Sequence, residues 1–307
     1  MDARLGRWAK FAGSAIAVVS IIFIGALFWK ERDVLSSFRP DMGSLAALAF
    51  SALSYAFLGL VLSDAWRHLL LWTGEPLVPS GEARRIYAQT QIAKYIPGNV
   101  AQFAGRQVLG RQAGWTHTGL LLSVAFELLS LVFVAAAIAT MTIATGASGV
   151  FASRLPEAIG IAGILIAFAL VLLRLGPRLL IERWPDSARR LSNLKLRELW
   201  VVSAYHTLFF VSAGLLFVLV TAATLGEPVP YQQWLWLIGL FAVAWIVSTL
   251  TPGAPAGMGV REVVLVAGLA LVTTAGTAVL VATLWRAVTV TGDLLFYLVA
   301  GAPWRGK

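Results

Sequence analysis

Six charged residues stand in or beside apolar segments of the sequence, where charge is rare. They are Arg106, Arg261 and Arg286, with the acidic residues Glu127, Glu262 and Asp293. A charge at the centre of a bilayer costs roughly 2.5–3.5 kcal/mol on insertion scales, so such residues should face the interior of a helical bundle and pair. The planar fork of an arginine suits a phosphate. The three arginines therefore predict an anion-binding site, and the alternative is that the six charges only neutralise one another as structural ion pairs.

Two helix breaks accompany these charges. A Pro-Gly pair stands at Pro97 and Gly98 and again at Pro252 and Gly253, and an arginine follows each proline by nine residues. Proline removes a backbone donor and glycine loosens the chain, so a helix should stop at each pair. A helix that starts beyond the break would aim its backbone N–H groups and positive dipole end at an anion. Other residues of the two motifs are predicted to bind that anion (Lys94, Asn99 and Gln102) or to shape the backbone (Gly105, Pro255, Gly257 and Gly259).

The acidic residues fit the same interpretation. Ser123, Glu127 and Ser130 share one helix face by their spacing. Three interpretations of Glu127 stay open: a counter-charge to a motif arginine, a proton carrier, or a buried carboxylate that one arginine holds. Arg286 and Asp293 are seven residues apart in the sequence, which is about 10 Å along a helix. We therefore expect these two residues to have separate partners.

Composition indicates an integral membrane protein. Of the 307 residues, 59% are hydrophobic and 13% are charged, and the mean hydropathy is +0.80, whereas about a quarter of the residues of a soluble domain are charged. The net charge of +9 comes from cations between the apolar runs, as the positive-inside rule expects, so no nucleic-acid partner is predicted. The chain has no cysteine, and its three histidines show no ligand spacing. We predict no metal, no cofactor and no catalytic residue.

Apolar runs predict the architecture. Six of them could cross the membrane as helices, at about residues 11–29, 44–63, 118–144, 158–173, 199–224 and 277–300. Residues 83–96 and 101–113 form pieces too short to cross a hydrocarbon core of about 30 Å. We predict an all-α polytopic bundle, one transmembrane domain over residues 1–307, with about six full crossings and two re-entrant broken-helix hairpins at 83–113 and 234–272.

Lysines and arginines predict the orientation. With the N-terminus in the cytoplasm, 16 of the 24 lie in cytoplasmic segments, 4 lie outside, and 4 lie in or beside apolar segments. This is a strong bias. Both termini are then cytoplasmic, and the two hairpins enter the membrane from opposite sides, so the halves 1–145 and 157–300 form an inverted repeat. Interrupted helices at corresponding places in two halves are typical of a transporter's central site.

Two stretches of the sequence resemble the transmembrane domain of the lysylphosphatidylglycerol synthase/flippase (MprF) family. They are Lys94-Tyr95-Ile96-Pro97-Gly98-Asn99-Val100 and Pro255-Ala256-Gly257-Met258-Gly259-Val260-Arg261-Glu262, and the likeness covers nearly the whole chain. Ala101 stands where the family often has tryptophan, and Ala256 and Met258 stand where glycine and leucine are common. The resemblance implies a stand-alone member that lacks the soluble aminoacyl-transferase domain. Such a member would translocate lipid and would not make lysyl-lipid.

From the charges, the breaks and the resemblance we predict a lipid flippase of the cytoplasmic membrane. An anionic or phosphate-bearing headgroup, of a phospholipid or a glycolipid, would be held at the midplane by Arg106, Arg261 and Arg286, with Glu127 and Glu262 organising the arginines. The alternatives are a membrane-embedded transferase on a lipid phosphate, with Glu127 as its base, and a non-transporting partner of a lipid-synthesising enzyme. Runs of small residues would also allow a homodimer.

Overall fold

The computed structural model describes residues 29, 32–95, 101–144, 196–251 and 255–301. The predicted spans 11–29 and 158–173 lie outside these residues, apart from Trp29. The residues at the breaks also lie outside them, namely Pro97, Gly98 and Asn99 at the first break and Pro252 and Gly253 at the second. The structure thus bears on four of the six predicted spans and on the segments that flank both breaks.

Within the described residues the chain is all-helical and contains no strand. Eight helices have ten residues or more: α1 Met42–Trp72, α2 Ser80–Ile92, α3 Ala101–Gln112, α4 His117–Ala144, α5 Leu196–Leu225, α6 Trp234–Leu250, α7 Val260–Leu269 and α8 Ala275–Phe296. A short helix, Arg32–Ser37, precedes α1, and a π-helical turn, Tyr297–Gly301, follows α8. The predicted all-α class is confirmed for this part of the chain.

Five segments of the described chain are long and apolar enough to cross a membrane. They are Met42–Trp72, His117–Thr142, Arg197–Leu225, Tyr231–Leu250 and Ala275–Gly301. Four of them contain or overlap the predicted spans at 44–63, 118–144, 199–224 and 277–300. The chain is therefore a multi-pass membrane protein.

Two segments differ from their prediction. The span predicted at 44–63 is too short, because α1 continues past Asp64, whose carboxylate accepts two hydrogen bonds from Arg84 at 3.0 and 2.9 Å. Tyr231–Leu250, predicted as the first limb of a re-entrant hairpin, has 20 residues and is long enough to cross by itself. The number of crossings and the re-entrant repeat stay predictions.

Helix α1 begins at a capped N-terminus. Asp41 accepts a hydrogen bond from the backbone N–H of Ser44 at 2.7 Å, and this bond holds the pKa of Asp41 below its ordinary value. The helix has 31 residues and is about 46 Å long, at 1.5 Å per residue. Its outer face carries Phe50, Leu53 and Phe57, each more than half exposed. In a bilayer such a face contacts lipid.

The core lies where α1, α5, α6 and α8 come together. Trp285 of α8 is 1% exposed, and its ring meets the rings of Tyr55, Phe217 and Phe241 at centroid distances of 5.9, 5.3 and 5.6 Å. Each such aromatic pair contributes about 0.5–1.5 kcal/mol beyond its buried area. Gly292 lets α8 approach α1, since a Cβ there would lie 2.8 Å from the Tyr55 ring. These contacts give the short helices α2, α3 and α7 a rigid frame.

Short helices lie on both sides of the first break and after the second. Helices α2 and α3 have 13 and 12 residues, about 20 and 18 Å at 1.5 Å per residue, so neither crosses the core alone, as predicted. They pack closely at Gly105, where a Cβ would lie 2.9 Å from Thr90. A 3₁₀ turn, Ala93–Tyr95, extends α2 toward the first break, and another, Pro255–Gly257, precedes α7. The two turns contact each other, so the flanks of both breaks meet.

Candidate functional site

A cavity lies where the two 3₁₀ turns meet. The volume that the centre of a water molecule can occupy in it is about 80 Å³. Because about 10–15 Å³ of such space holds one water, the cavity has room for several waters or for one phosphate-sized group. Its walls come from α1 to α7 and from both turns. Among the described residues, three cations line it, Lys94, Arg106 and Arg261, and one carboxylate, that of Glu127.

Arg106 belongs to a closed cluster on one wall. Its side chain is 2% exposed and forms an ion pair with Glu127 through Nη1 and Oε2. The guanidinium lies over the ring of Tyr87, 4.0 Å from the ring centroid, and the Tyr87 hydroxyl donates to the other Glu127 oxygen at 2.8 Å. The predicted pairing of Arg106 is confirmed. We call Arg106, Glu127 and Tyr87 the Arg106 cluster.

Glu127 lies on a polar face of α4. Ser123, Glu127 and Ser130 are all buried, which confirms that they share one inward face. Ser123 accepts a hydrogen bond from Nε1 of Trp66 at 3.1 Å, and the Ser130 hydroxyl lies 2.8 Å from Nδ1 of His206. The face therefore ties α4 to α1 and α5. The pairing with Arg106 fits two of the interpretations of Glu127, a counter-charge to a motif arginine and a buried carboxylate that one arginine holds.

Asp293 ties the first 3₁₀ turn to α8. Its Oδ2 lies 2.6 Å from Nζ of Lys94 and accepts a hydrogen bond from the Tyr95 hydroxyl at 2.6 Å. The Lys94 and Asp293 side chains are 14% and 5% exposed. Lys94 thus lines the cavity with its charge already matched. Asp293 has partners other than Arg286, as predicted.

Arg286 and Glu262 form a third pair, which does not line the cavity. Nη1 of Arg286 lies 3.5 Å from Oε1 of Glu262 and donates to the carbonyl of Ala256 at 3.2 Å. Since Ala256 is a wall residue, Arg286 supports the second turn from behind. Of the three arginines expected to converge on one anion, the structure places Arg106 and Arg261 at the cavity and Arg286 outside it.

Left-handed backbone precedes α7. Ala256, Gly257 and Gly259 have φ angles of +48°, +68° and +81°, and a Cβ on Gly257 would collide with Ser248. The backbone N–H of Gly259 donates to Oε2 of Glu262 at 2.7 Å. Part of the positive end of α7 is therefore matched from within the chain. The start of α7 therefore has fewer free backbone N–H groups for an anion than the helix break alone predicts.

Arg261 differs from the other cations of this region. Its side chain is half-buried and lines the cavity, and its Nε donates to the Ser248 hydroxyl at 3.2 Å. No carboxylate in the described part of the chain forms an ion pair with it. A charge removed from water is costly unless it is paired. Among the described cations of this cavity, Arg261 is the one without an ion-pair partner.

Comparison with known proteins adds no relative. No protein-family model matches the chain, and no curated protein matches it. The family resemblance of the two motifs therefore stays a prediction. Among the described residues, no group of three histidine, aspartate or glutamate side chains could hold a metal ion.

The predicted site residues divide into three sets. Lining the cavity are Lys94, Gln102, Arg106, Glu127, Arg261 and the backbone residue Gly257; near it but not lining it are Gly105, Gly259, Glu262 and Arg286; outside the described residues are Pro97, Gly98, Asn99, Pro252, Gly253 and the side chain of Pro255. The sequence thus predicts the cations that line the cavity. It also predicts the Arg286–Glu262 pair, which supports the second turn from behind.

Sequence reasoning misses several polar partners of these charges. Tyr87, Gln91 and Lys94 all line the cavity, and their spacing of four and three residues is that of one helix face. This signal is present in the sequence and could have identified Tyr87. Tyr95 and Ser248 carry no such signal, because their partners lie on other helices.

Proposed function

We propose that this protein is a lipid translocase that moves an anionic or phosphate-bearing lipid between the leaflets of the cytoplasmic membrane. The headgroup would occupy the cationic cavity while the acyl chains stay in the bilayer. The observation that carries the proposal is Arg261, a half-buried arginine that lines a cavity inside a multi-pass membrane protein and has no carboxylate partner among the described residues. Ionisable residues within membrane bundles mark substrate paths.

The chemistry of the cavity wall supports a phosphate ligand. Arg261 presents a planar fork that can bind two phosphate oxygens at once. Gln102 of α3 also lines the cavity and carries amide N–H donors. Lys94 and Arg106 are already paired, so they contribute oriented ion pairs to the wall and leave Arg261 as the primary contact.

The position of the cavity supports movement of the ligand. The cavity lies between the flanks of two helix breaks, and transporters place their sites between broken helices near the middle of the bilayer. Lys94 connects the first turn to α8 through Asp293, and Arg286 of α8 donates to the carbonyl of Ala256 in the second turn. Each turn is thus attached to a membrane-spanning frame that could displace it.

The two alternative functions fit less of this geometry. A transferase needs a free base, but both oxygens of Glu127 are bonded, one to Arg106 and one to Tyr87. A non-transporting partner of a lipid-synthesising enzyme needs only closed ion pairs. That description fits Lys94, Arg106 and Arg286 but leaves Arg261 unexplained.

Leaflet exchange in liposomes tests the proposal. Purified protein is reconstituted with phosphatidylglycerol or phosphatidylcholine that carries a fluorescent label on one acyl chain. Exchange is followed as the fraction of label that a membrane-impermeant quencher reaches. We expect exchange by the wild type and its loss in Arg261→Ala. Arg85→Ala is the matched control, because Arg85 forms only an exposed pair with Glu82 at 3.5 Å.

Two results would count against the proposal in different ways. Wild-type exchange by folded Arg261→Ala protein would remove Arg261 from the binding site. Absence of exchange for every labelled lipid by folded wild-type protein would overturn the translocase and favour the partner of a lipid-synthesising enzyme.

A further inference from the structure

We infer that the cavity selects a headgroup with a single net negative charge, a phosphodiester, over a phosphomonoester or a zwitterion. The inference rests on the proposed function and adds the charge of the cargo to it. It rests on the balance of positive and negative charges in and behind the cavity wall.

The charges in and behind the cavity wall leave one cation unmatched. In the described part of the chain these are four cations, Lys94, Arg106, Arg261 and Arg286, and three carboxylates, Glu127, Glu262 and Asp293. Each carboxylate pairs with one cation: Glu127 with Arg106, Asp293 with Lys94 at 2.6 Å, and Glu262 with Arg286 at 3.5 Å. The remainder is one positive charge, that of Arg261.

The apolar stretches and the break residues outside the described chain add no charge to this balance. The residues at the two breaks, 96–100 and 252–254, include no Asp, Glu, Lys or Arg. The apolar runs 11–29 and 158–173 include none either. The surplus of one positive charge at the cavity therefore rests on the pairing of the described residues.

One surplus cation matches one class of headgroup. A phosphodiester such as that of phosphatidylglycerol carries one negative charge and would neutralise Arg261. A phosphomonoester carries about −1.5 to −2 near neutral pH, so part of its charge would stay unmatched in a buried site. A zwitterionic headgroup would bring an ammonium group beside Lys94, Arg106 and Arg261, where like charges oppose it. Burial makes both mismatches costly.

Exchange of three lipids with identical labelled acyl chains tests the inference. They are phosphatidylglycerol, phosphatidic acid and phosphatidylcholine, each measured with the full-length protein in liposomes of one composition. We expect phosphatidylglycerol to exchange at least about tenfold faster than either of the others, because each leaves a buried charge unmatched.

Charge changes at one wall position sharpen the test. Gln102 lines the cavity, so Gln102→Lys raises the surplus to two positive charges and should make phosphatidic acid the fastest lipid. Gln102→Glu lowers the surplus to zero and should make phosphatidylcholine the fastest. Gln102→Met leaves the charge unchanged and should keep phosphatidylglycerol first, whatever its absolute rate. Thr249 lines the cavity from α6, and Thr249→Lys and Thr249→Asp repeat the test if a Gln102 variant does not fold.

The possible results separate this inference from the proposed function. A wild type that exchanges phosphatidic acid or phosphatidylcholine as fast as phosphatidylglycerol would overturn the inference and leave the translocase standing. If the charge variants left the order of the three exchange rates unchanged, the inference would also be overturned and the translocase would stand. No exchange of any lipid would overturn the proposed function itself. Uptake of soluble glycerophosphoglycerol into the liposomes without lipid exchange would overturn a lipid as the source of the phosphodiester.

Discussion

Arg106 and Arg261 each follow the proline of a Pro-Gly pair by nine residues, yet their surroundings differ. Arg106 is 2% exposed, paired with Glu127 and covered by the ring of Tyr87. Arg261 is half-buried, and its hydrogen-bond partner in the described chain is the neutral hydroxyl of Ser248. One arginine is enclosed by the protein, and the other meets the cavity with its charge unmatched.

Under the proposed function, this difference separates a structural role for Arg106 from a binding role for Arg261. A buried ion pair tolerates its desolvation only while both partners are present, so the Arg106 cluster is a place where stability is easily lost. An unmatched cation instead makes the empty site less favourable and a bound anion more favourable. The likeness of the two motifs is therefore one of backbone pattern. Their electrostatics are not symmetrical, and substitutions should show this.

The largest loss of stability is expected from Glu127→Gln. This change leaves the Arg106 charge buried without its carboxylate, and breaking a buried pair in this way costs about 3–5 kcal/mol. Thermal unfolding of the purified protein in detergent, followed by tryptophan fluorescence, measures the effect.

A double variant provides the control for this change. Arg106→Met together with Glu127→Met removes both charges, so it should recover most of the stability that Glu127→Gln loses. A Glu127→Gln protein that unfolds at the wild-type temperature would mean that Arg106 has another partner, and the contrast with Arg261 would then disappear.

Asp293→Asn should rank second. Lys94 would lose its carboxylate, but its side chain is 14% exposed against 2% for Arg106, so water compensates part of the loss. The asparagine oxygen can still accept the hydrogen bond of Tyr95. We expect a loss of about 2–3 kcal/mol, the scale of a hydrogen bond to a charged group. Unfolding under the same conditions checks the order, and a larger loss than that of Glu127→Gln would reverse it.

The sequence predicts most of the helical framework. A bilayer requires about 20 consecutive apolar residues, and this requirement locates α1, α4, α5 and α8 near their observed positions. The end of α1 is missed because Asp64 looks like a boundary in the sequence. Its partner Arg84 lies 20 residues away on another helix, and no local pattern connects the two.

At the site, residue types are predictable and pairings are not. The arginines, Lys94 and Glu127 stand out because charge is rare in apolar segments. Which carboxylate meets which cation depends on how the helices pack, as for Tyr95 and Asp293, which are 198 residues apart. The sequence therefore predicts a cationic centre but not that Arg261 alone would remain unmatched.

Tyr87→Phe should have a smaller effect than either carboxylate change. It removes the 2.8 Å hydrogen bond to Glu127 but keeps the ring beneath the Arg106 guanidinium. We expect a loss of about 1.5 kcal/mol, because the remaining ion pair is intact. Tyr205→Phe is the matched control, since the Tyr205 hydroxyl makes no hydrogen bond within the described residues. Equal unfolding temperatures for the two variants would remove Tyr87 from the Arg106 cluster.

The smallest change in stability is expected from Arg261→Met, together with the loss of lipid exchange. The substitution removes an unmatched charge and one hydrogen bond to a neutral hydroxyl, so the two contributions oppose each other and should leave less than about 1 kcal/mol. Methionine keeps most of the side-chain volume. The same substitution at Arg106 strands Glu127 and should lower the unfolding temperature markedly. If Arg261→Met destabilised the protein as much as Arg106→Met, Arg261 would have a carboxylate partner within the chain, and its assignment to a bound anion would fail.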